Sequence, residues 1–158
     1  MSNLRQVARN EQIQLAPMIE EIFTDLAPLV EKRGITLEAD GDGVMTGSDA
    51  LIYRLIFNLT ENAVKYNRPG GSVRVCVIQE TEKLLIRVSD TGCGIPDEYQ
   101  QSIFQPFFRV DKSRSREYGG AGLGLSLVWE IANLHGGSVW VEESSEKGTT
   151  IAVELPVQ

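Results

Sequence analysis

Asn58-Leu59-Thr60-Glu61-Asn62-Ala63-Val64-Lys65-Tyr66 is the stretch whose reading decides how this chain folds. Counted from Asn58, the polar residues Glu61, Asn62, Lys65 and Tyr66 lie three, four, seven and eight positions on, so a helix puts all five on one face. Ile52, Ile56, Leu59 and Ala63 form an apolar stripe beside it, which is all that packing on a core requires. A row of amide, carboxylate, ammonium and phenol next to that stripe suggests a wet cleft; by itself it also fits a face turned to solvent. Ser48 or Asp49 caps the start of this helix, and Pro69-Gly70-Gly71 stops it after about Asn67.

Working outward, Ile19, Ile22, Phe23, Leu26, Leu29 and Val30 recur every three or four residues and predict an amphipathic helix over 18–30. Residues 1–16 read as a linker, leaving 17–158 as one domain. Alternation predicts a strand over 35–39 and a hairpin of 73–77 with 84–88, turning near residues 80–82. A short helix is expected over 98–103, a mobile loop without periodicity over 107–122, and a third main helix over 122–135, closed by Gly136-Gly137. Residues 138–143 and 149–155 make a last hairpin around Glu146-Lys147-Gly148. The sum is an α+β fold, a two-layer sandwich in which three helices cover one face of a mixed sheet of about five strands.

Composition narrows the function classes. A chain of 158 residues buries one core without metal or disulfide, and no window approaches the apolar run of a membrane span. A net charge of -7 without clustered Lys and Arg argues against a nucleic-acid surface. Cys76 and Cys93 have neither CxxC spacing nor a framework of pairs, and Ser2 to Gln14 lacks the apolar centre of a signal peptide. The expectation is a cytoplasmic piece with no membrane contact of its own, from a parent that is free to be membrane-anchored elsewhere.

Two glycine runs carry further chemistry. Asp90-Thr91-Gly92-Cys93-Gly94-Ile95-Pro96 follows a strand directly; its glycines allow close backbone approach and its carboxylate can accept from a base amine. Gly120-Ala121-Gly122-Leu123-Gly124-Leu125 leads into an apolar-periodic helix, where free amides and the helix dipole suit a phosphate. Each run alone also fits an ordinary turn. Neither matches a phosphate loop ending in Gly-Lys-Ser/Thr or a βαβ dinucleotide unit.

Together and in this order, these segments resemble the ATP-binding domain of bacterial sensor histidine kinases, in the superfamily shared with DNA gyrase, Hsp90-type chaperones and MutL. The resemblance spans residues 16–156. Asn58 to Tyr66 resembles the asparagine box, Asp90 to Pro96 the first glycine box, and Phe104-Gln105-Pro106-Phe107-Phe108-Arg109 the phenylalanine box. Gly120 to Leu125 resembles the second glycine box and Gly148-Thr149-Thr150 the third.

The resemblance implies roles for these residues. Asn62 would hold Mg2+, with Asn58 nearby; Lys65 would meet a phosphate and Tyr66 would pack on the nucleotide. Asp90 would take the adenine amino group, Gly92, Gly94 and Ile95 would shape the purine pocket, and Thr149 would join Asp90 through water. Gly120, Gly122, Leu123, Gly124 and Leu125 would hold the phosphates of ATP, and Arg109, in a lid-like loop, would neutralise charge on the transferring phosphoryl group. Hydrolases of this superfamily carry a glutamate four residues before the metal-binding asparagine, whereas position 58 is Asn, which favours transfer to a protein side chain over hydrolysis. Glu61 is a carboxylate on the same face and a candidate for orienting water or metal; a solvated side chain is its plainer reading.

Other residues read more simply. His135, the single histidine, sits at a helix C-terminus before two glycines and lacks the acidic neighbour and following proline of the kinase acceptor motif, so it reads as a capping or packing residue. Cys93 reads as loop filler, and Trp129 and Trp140 as core and hairpin packing. Lys112, Arg114 and Arg116 fit phosphate, a partner helix or plain exposed charge equally well. Ala121 stands where many relatives have a hydroxyl.

The resemblance therefore implies a catalytic domain that passes the γ-phosphoryl of Mg-ATP to a histidine on a separate dimerisation helix of the same full-length kinase, and indirectly serves a response regulator. Two rivals are a serine kinase of the anti-sigma-factor type, against which the phenylalanine box argues, and a nucleotide-binding docking module without transferase activity.

Overall fold

The computed structural model describes residues 11–100, 102–105 and 125–157. A strand over Glu11–Gln14 (β1) runs straight into the helix Leu15–Arg33 (α1), followed by the strands Thr36–Gly41 (β2) and Val44–Gly47 (β3). The helix Asp49–Lys65 (α2) leads to the hairpin Ser72–Gln79 (β4) and Lys83–Asp90 (β5). Two 3-10 turns, Asp97–Tyr99 and Ser102–Phe104, precede the helix Ser126–Leu134 (α3) and the closing strands Ser138–Ser145 (β6) and Gly148–Pro156 (β7).

Among the described residues five strands form one sheet in the order β2-β4-β5-β7-β6. Only β2 and β4 are parallel; the other neighbours are antiparallel, with Val73 opposite Asp90 and Ser89 opposite Thr150. The sheet is mixed, as expected. Parallel pairing of β2 with β4 requires a long crossover, and β3 with α2 supplies it. Among the described residues three helices pack side by side on one face, α1 beside α2 and α2 beside α3, with α2 over β4 and β5.

Local chemistry explains α2. Ser48 adopts an extended conformation and its Oγ accepts the Leu51 amide at 3.3 Å, while Asp49 and Lys65 sit at the ends that favour their charges. Ile52, Leu55, Ile56 and Leu59 are at most 2% exposed. They meet Val73, Val75, Leu84 and Ile86 from the sheet in one core. Truncating such a side chain to Ala typically costs about 2–5 kcal/mol.

The structure departs from the sequence reading at three places. The fold begins before residue 17: β1 pairs antiparallel with β3 in a second, two-stranded sheet, and Ile13 and Leu15 are buried, so residues 11–16 are not linker. Where a helix over 98–103 is expected, the described residues hold the 3-10 turns Asp97–Tyr99 and Ser102–Phe104, because the amides of Tyr99, Gln100 and Gln105 bond to carbonyls three residues back, not four. Trp129 and Trp140 are 47% and 37% exposed and line a groove with Phe104 and Val139, because the core-facing positions are taken by Val128 and Val139.

Candidate functional site

Asp90 ends the central strand β5, where burial holds its pKa above the usual 3.8 against the opposing pull of two backbone amides. Those amides belong to Gly92, at 2.8 Å, and Thr149, at 3.2 Å, and both donate to Oδ1. Among the described residues no hydrogen bond reaches Oδ2. The link from Thr149 to Asp90 is thus a direct one through the amide, while the Thr149 hydroxyl lies 2.9 Å from Ser144 Oγ.

The glycines serve the protein's own backbone. Gly94 has φ +83°, and a Cβ there would run into the Ser145 carbonyl oxygen; at Gly148, φ is +140° and a Cβ would strike the Asp90 carbonyl oxygen. These contacts draw the loop after β5 tightly against the turn between β6 and β7. The Ile95 amide then donates to Ser144 Oγ at 2.7 Å, which fixes the end of that loop.

The C-terminal end of α2 is fastened to the same loop. Arg33, from the last turn of α1, donates to the Val64 carbonyl at 3.1 Å and the Asn67 carbonyl at 2.7 Å. Asn67 is 5% exposed; its amide donates to the Ser72 carbonyl at 2.9 Å and its Oδ1 accepts from Thr91 Oγ1 at 3.0 Å. Arg68 donates to the carbonyls of Gly92 and Glu146. Helix, loop and final hairpin are therefore one hydrogen-bonded frame.

Between them opens a cleft walled by the apolar residues Leu59, Ala63, Val88, Ile95, Leu125 and Ile151. Asn62, Tyr66, Asp90 and Thr149 supply its polar groups, and Gly94 its remaining wall. Burial, with Glu61 adding to it, raises the pKa of the Tyr66 phenol, which stays a neutral donor. An apolar slot with one carboxylate oxygen open and no basic group among the described residues that line it suits an uncharged aromatic heterocycle that carries an amine.

The predicted residues divide by position. Asn62, Tyr66, Asp90, Gly94, Ile95, Leu125 and Thr149 share the cleft. Gly92 stands behind it, where a Cβ would lie 2.5 Å from the Tyr66 carbonyl oxygen. Glu61 and Lys65 pair across one helical turn at 4.0 Å, both partly exposed and outside the cleft lining. Asn58 opens instead onto a neighbouring groove beside Tyr53, Phe57 and Leu127. There the Tyr53 hydroxyl bonds to Asp25, and burial together with that carboxylate pushes its pKa up to about 12. Arg109, Gly120, Gly122, Leu123 and Gly124 lie outside the described residues.

His135 caps α3, with Nδ1 2.9 Å from the Ile131 carbonyl and Nε2 accepting the Ser48 amide at 3.2 Å. Its Nδ1 therefore carries the proton, and both nitrogens are engaged in joining α3 to the start of α2. Sequence reasoning did not find Arg33, Asn67, Arg68 or Ser144, since each acts through contacts between segments remote in the chain.

Comparison with known proteins agrees with this geometry. The family model described as "Histidine kinase-, DNA gyrase B-, and HSP90-like ATPase" matches residues 47–158. The sensor histidine kinase WalK of Bacillus subtilis is 43% identical over 88% of this chain, and the sensor histidine kinase RppB of Synechocystis sp. 33% identical over 99% of it. The chain spans 22% and 36% of those two proteins. Among solved structures, the catalytic domain of histidine kinase ThkA in a nucleotide-free form superposes with a TM-score of 0.82 at 26% identity, covering 94% of this chain and 95% of that one. The mycobacterial sensor histidine kinase MprB gives 0.76 at 27% identity, covering 93% and 97%.

Proposed function

The chain belongs to the family of histidine kinase-, DNA gyrase B- and HSP90-like ATPases, as an ATPase domain of the histidine kinase kind, and from that premise we propose that its cleft holds the adenine of ATP for phosphoryl transfer to a histidine on a separate dimerisation helix. The observation that carries this reading is the open Oδ2 of Asp90 at the floor of an apolar slot. Asp90 accepts the adenine amine; Leu59, Val88, Ile95 and Ile151 enclose the ring; Tyr66 packs at the side.

The residues present fit a magnesium ion that arrives with the nucleotide. Among the described residues no group of three or more His, Cys, Asp or Glu is placed to hold a metal alone. Asn62 and Asn58 offer neutral amide oxygens, the hard donors that suit an ion whose other ligands are phosphate oxygens and water. That ion, when bound, offsets charge on the transferring phosphoryl group. Asn62 contributes from the cleft side of α2 and Asn58 from the adjoining groove; Lys65, paired only at 4.0 Å, is free to turn to a phosphate.

Asn at position 58 provides no carboxylate base for water, so transfer to a supplied acceptor outpaces hydrolysis. The acceptor comes from outside this chain, because His135 has both ring nitrogens committed to the fold. A response regulator is the onward partner. The test is to incubate this chain with γ-labelled ATP, Mg2+ and the isolated dimerisation domain of a similar kinase such as WalK. Acid-labile label on the acceptor is expected. ADP binding without any transfer would leave a nucleotide-binding docking module instead.

A further inference from the structure

Ser144 belongs to the edge strand β6 and does not line the cleft, yet its hydroxyl joins the loop after β5 to the strand that holds Asp90. Its Oγ accepts the Ile95 amide at 2.7 Å and lies 2.9 Å from Thr149 Oγ1. Thr149 is 5% exposed, lines the cleft and gives its own amide to Asp90 Oδ1.

A hydroxyl has one proton and two lone pairs, so the direction of the Ser144–Thr149 bond decides what Thr149 shows to the cleft. The Ile95 amide already occupies one lone pair of Ser144. If Ser144 donates to Thr149, every polar atom of Ser144 is used and the Thr149 proton is left to face the cleft. If Thr149 donates instead, Ser144 takes two donors while its own proton has no partner among the described residues, which is the costlier arrangement at a half-buried site.

We propose that Ser144 is a positioning residue for base specificity: by donating to Thr149 it turns the Thr149 hydroxyl into a donor beside the Asp90 acceptor. This rests on the adenine reading of the cleft. An acceptor next to a donor matches the adenine edge, whose amine donates and whose N1 accepts. It opposes the edge of hypoxanthine or guanine, where a carbonyl accepts and N1–H donates. The Thr149 proton reaches N1 directly or through one ordered water.

The test compares ADP with inosine diphosphate by calorimetry on the whole chain and on Ser144→Ala and Ser144→Thr. Wild-type protein prefers ADP. Ser144→Ala releases the Ile95 loop and so weakens both nucleotides, but it weakens ADP about tenfold more than inosine diphosphate, the size expected when one buried hydrogen bond loses its orientation. Ser144→Thr, which keeps the hydroxyl, retains the wild-type ratio. A wild-type ratio in Ser144→Ala, or an equal loss for both nucleotides, overturns the role of Ser144 alone. Failure of the folded wild-type chain to take ADP overturns the adenine reading itself. A probe that needs no variant is 1-deaza-ADP, which lacks the N1 acceptor: it binds wild-type protein about tenfold more weakly than ADP, and equal affinity contradicts the proposal.

Discussion

The amide of Thr149 donates to Asp90 Oδ1 at 3.2 Å across a separation of 59 residues, so the carboxylate that ends β5 is held by the neighbouring strand β7. With the Gly92 amide on the same oxygen, the carboxyl group is fixed in orientation before any ligand arrives. One oxygen anchors and the other is left for the cleft.

That arrangement sets a pH dependence. The folded pKa of Asp90 is raised above 3.8, first by burial, while the two amides pull it down. Folding therefore takes up a proton between the unfolded and folded values, and the group's contribution to stability is full below 3.8 and declines as pH rises through the folded value. Binding runs the other way, because a protonated Asp90 offers a donor to an amine. ADP affinity is expected to fall as pH is lowered through the raised folded pKa of Asp90, with Asp90→Asn weak and flat across the range. Calorimetry over that range checks it.

Gly94→Ala places a side chain at φ +83° and a Cβ against the Ser145 carbonyl. The strain amounts to about 1–3 kcal/mol, and relieving it moves the loop that carries Ile95. Thermal unfolding should show a modest fall, and ADP titration a larger proportional loss. A variant that keeps full ADP affinity would mean that the loop does not shape the cleft.

Arg33 is a stability element with a functional address, because it donates to two carbonyls at the end of α2. Arg33→Ala is expected to cost about 1.5–3 kcal/mol in denaturant unfolding, the range for hydrogen bonds from a charged group. Arg33→Lys should recover only part of it, since an ammonium lacks the planar fork that serves both carbonyls.

How much of this was legible in the sequence depends on range. Helix α2, its Ser48 cap and the β4–β5 hairpin follow from periodicity and turn chemistry within some twenty residues, and the chemistry-bearing positions Asp90, Gly94 and Thr149 stood out by their motifs. The pairing of β1 with β3 was hidden, because four-residue strands such as Glu11–Gln14 offer too few alternations and pair with a partner some thirty residues away. Ser144, Asn67 and Arg33 carry no local signal: their significance arises only when β6, α2 and α1 come together. The two tryptophans misled for a related reason, since hydrophobicity alone does not say which side of β6 or α3 meets the core.

Asn62 bears on the metal. Asn62→Ala should bind ADP without Mg2+ as the wild-type chain does, and lose the gain in affinity that Mg2+ confers. Titrations with chelator and with Mg2+ separate the two effects. A full Mg2+ gain in the variant would move the ion to other residues.

The central claim is that the cleft beside Asp90 is a purine nucleotide site, and calorimetric titration of ADP into this chain and into Asp90→Ala, with unfolding curves as the control for folding, tests it most directly. Saturable binding to the wild-type chain, lost in a variant that still folds, is the predicted result. A folded wild-type chain that takes no ADP, or an Asp90→Ala chain that binds it as tightly, would contradict it.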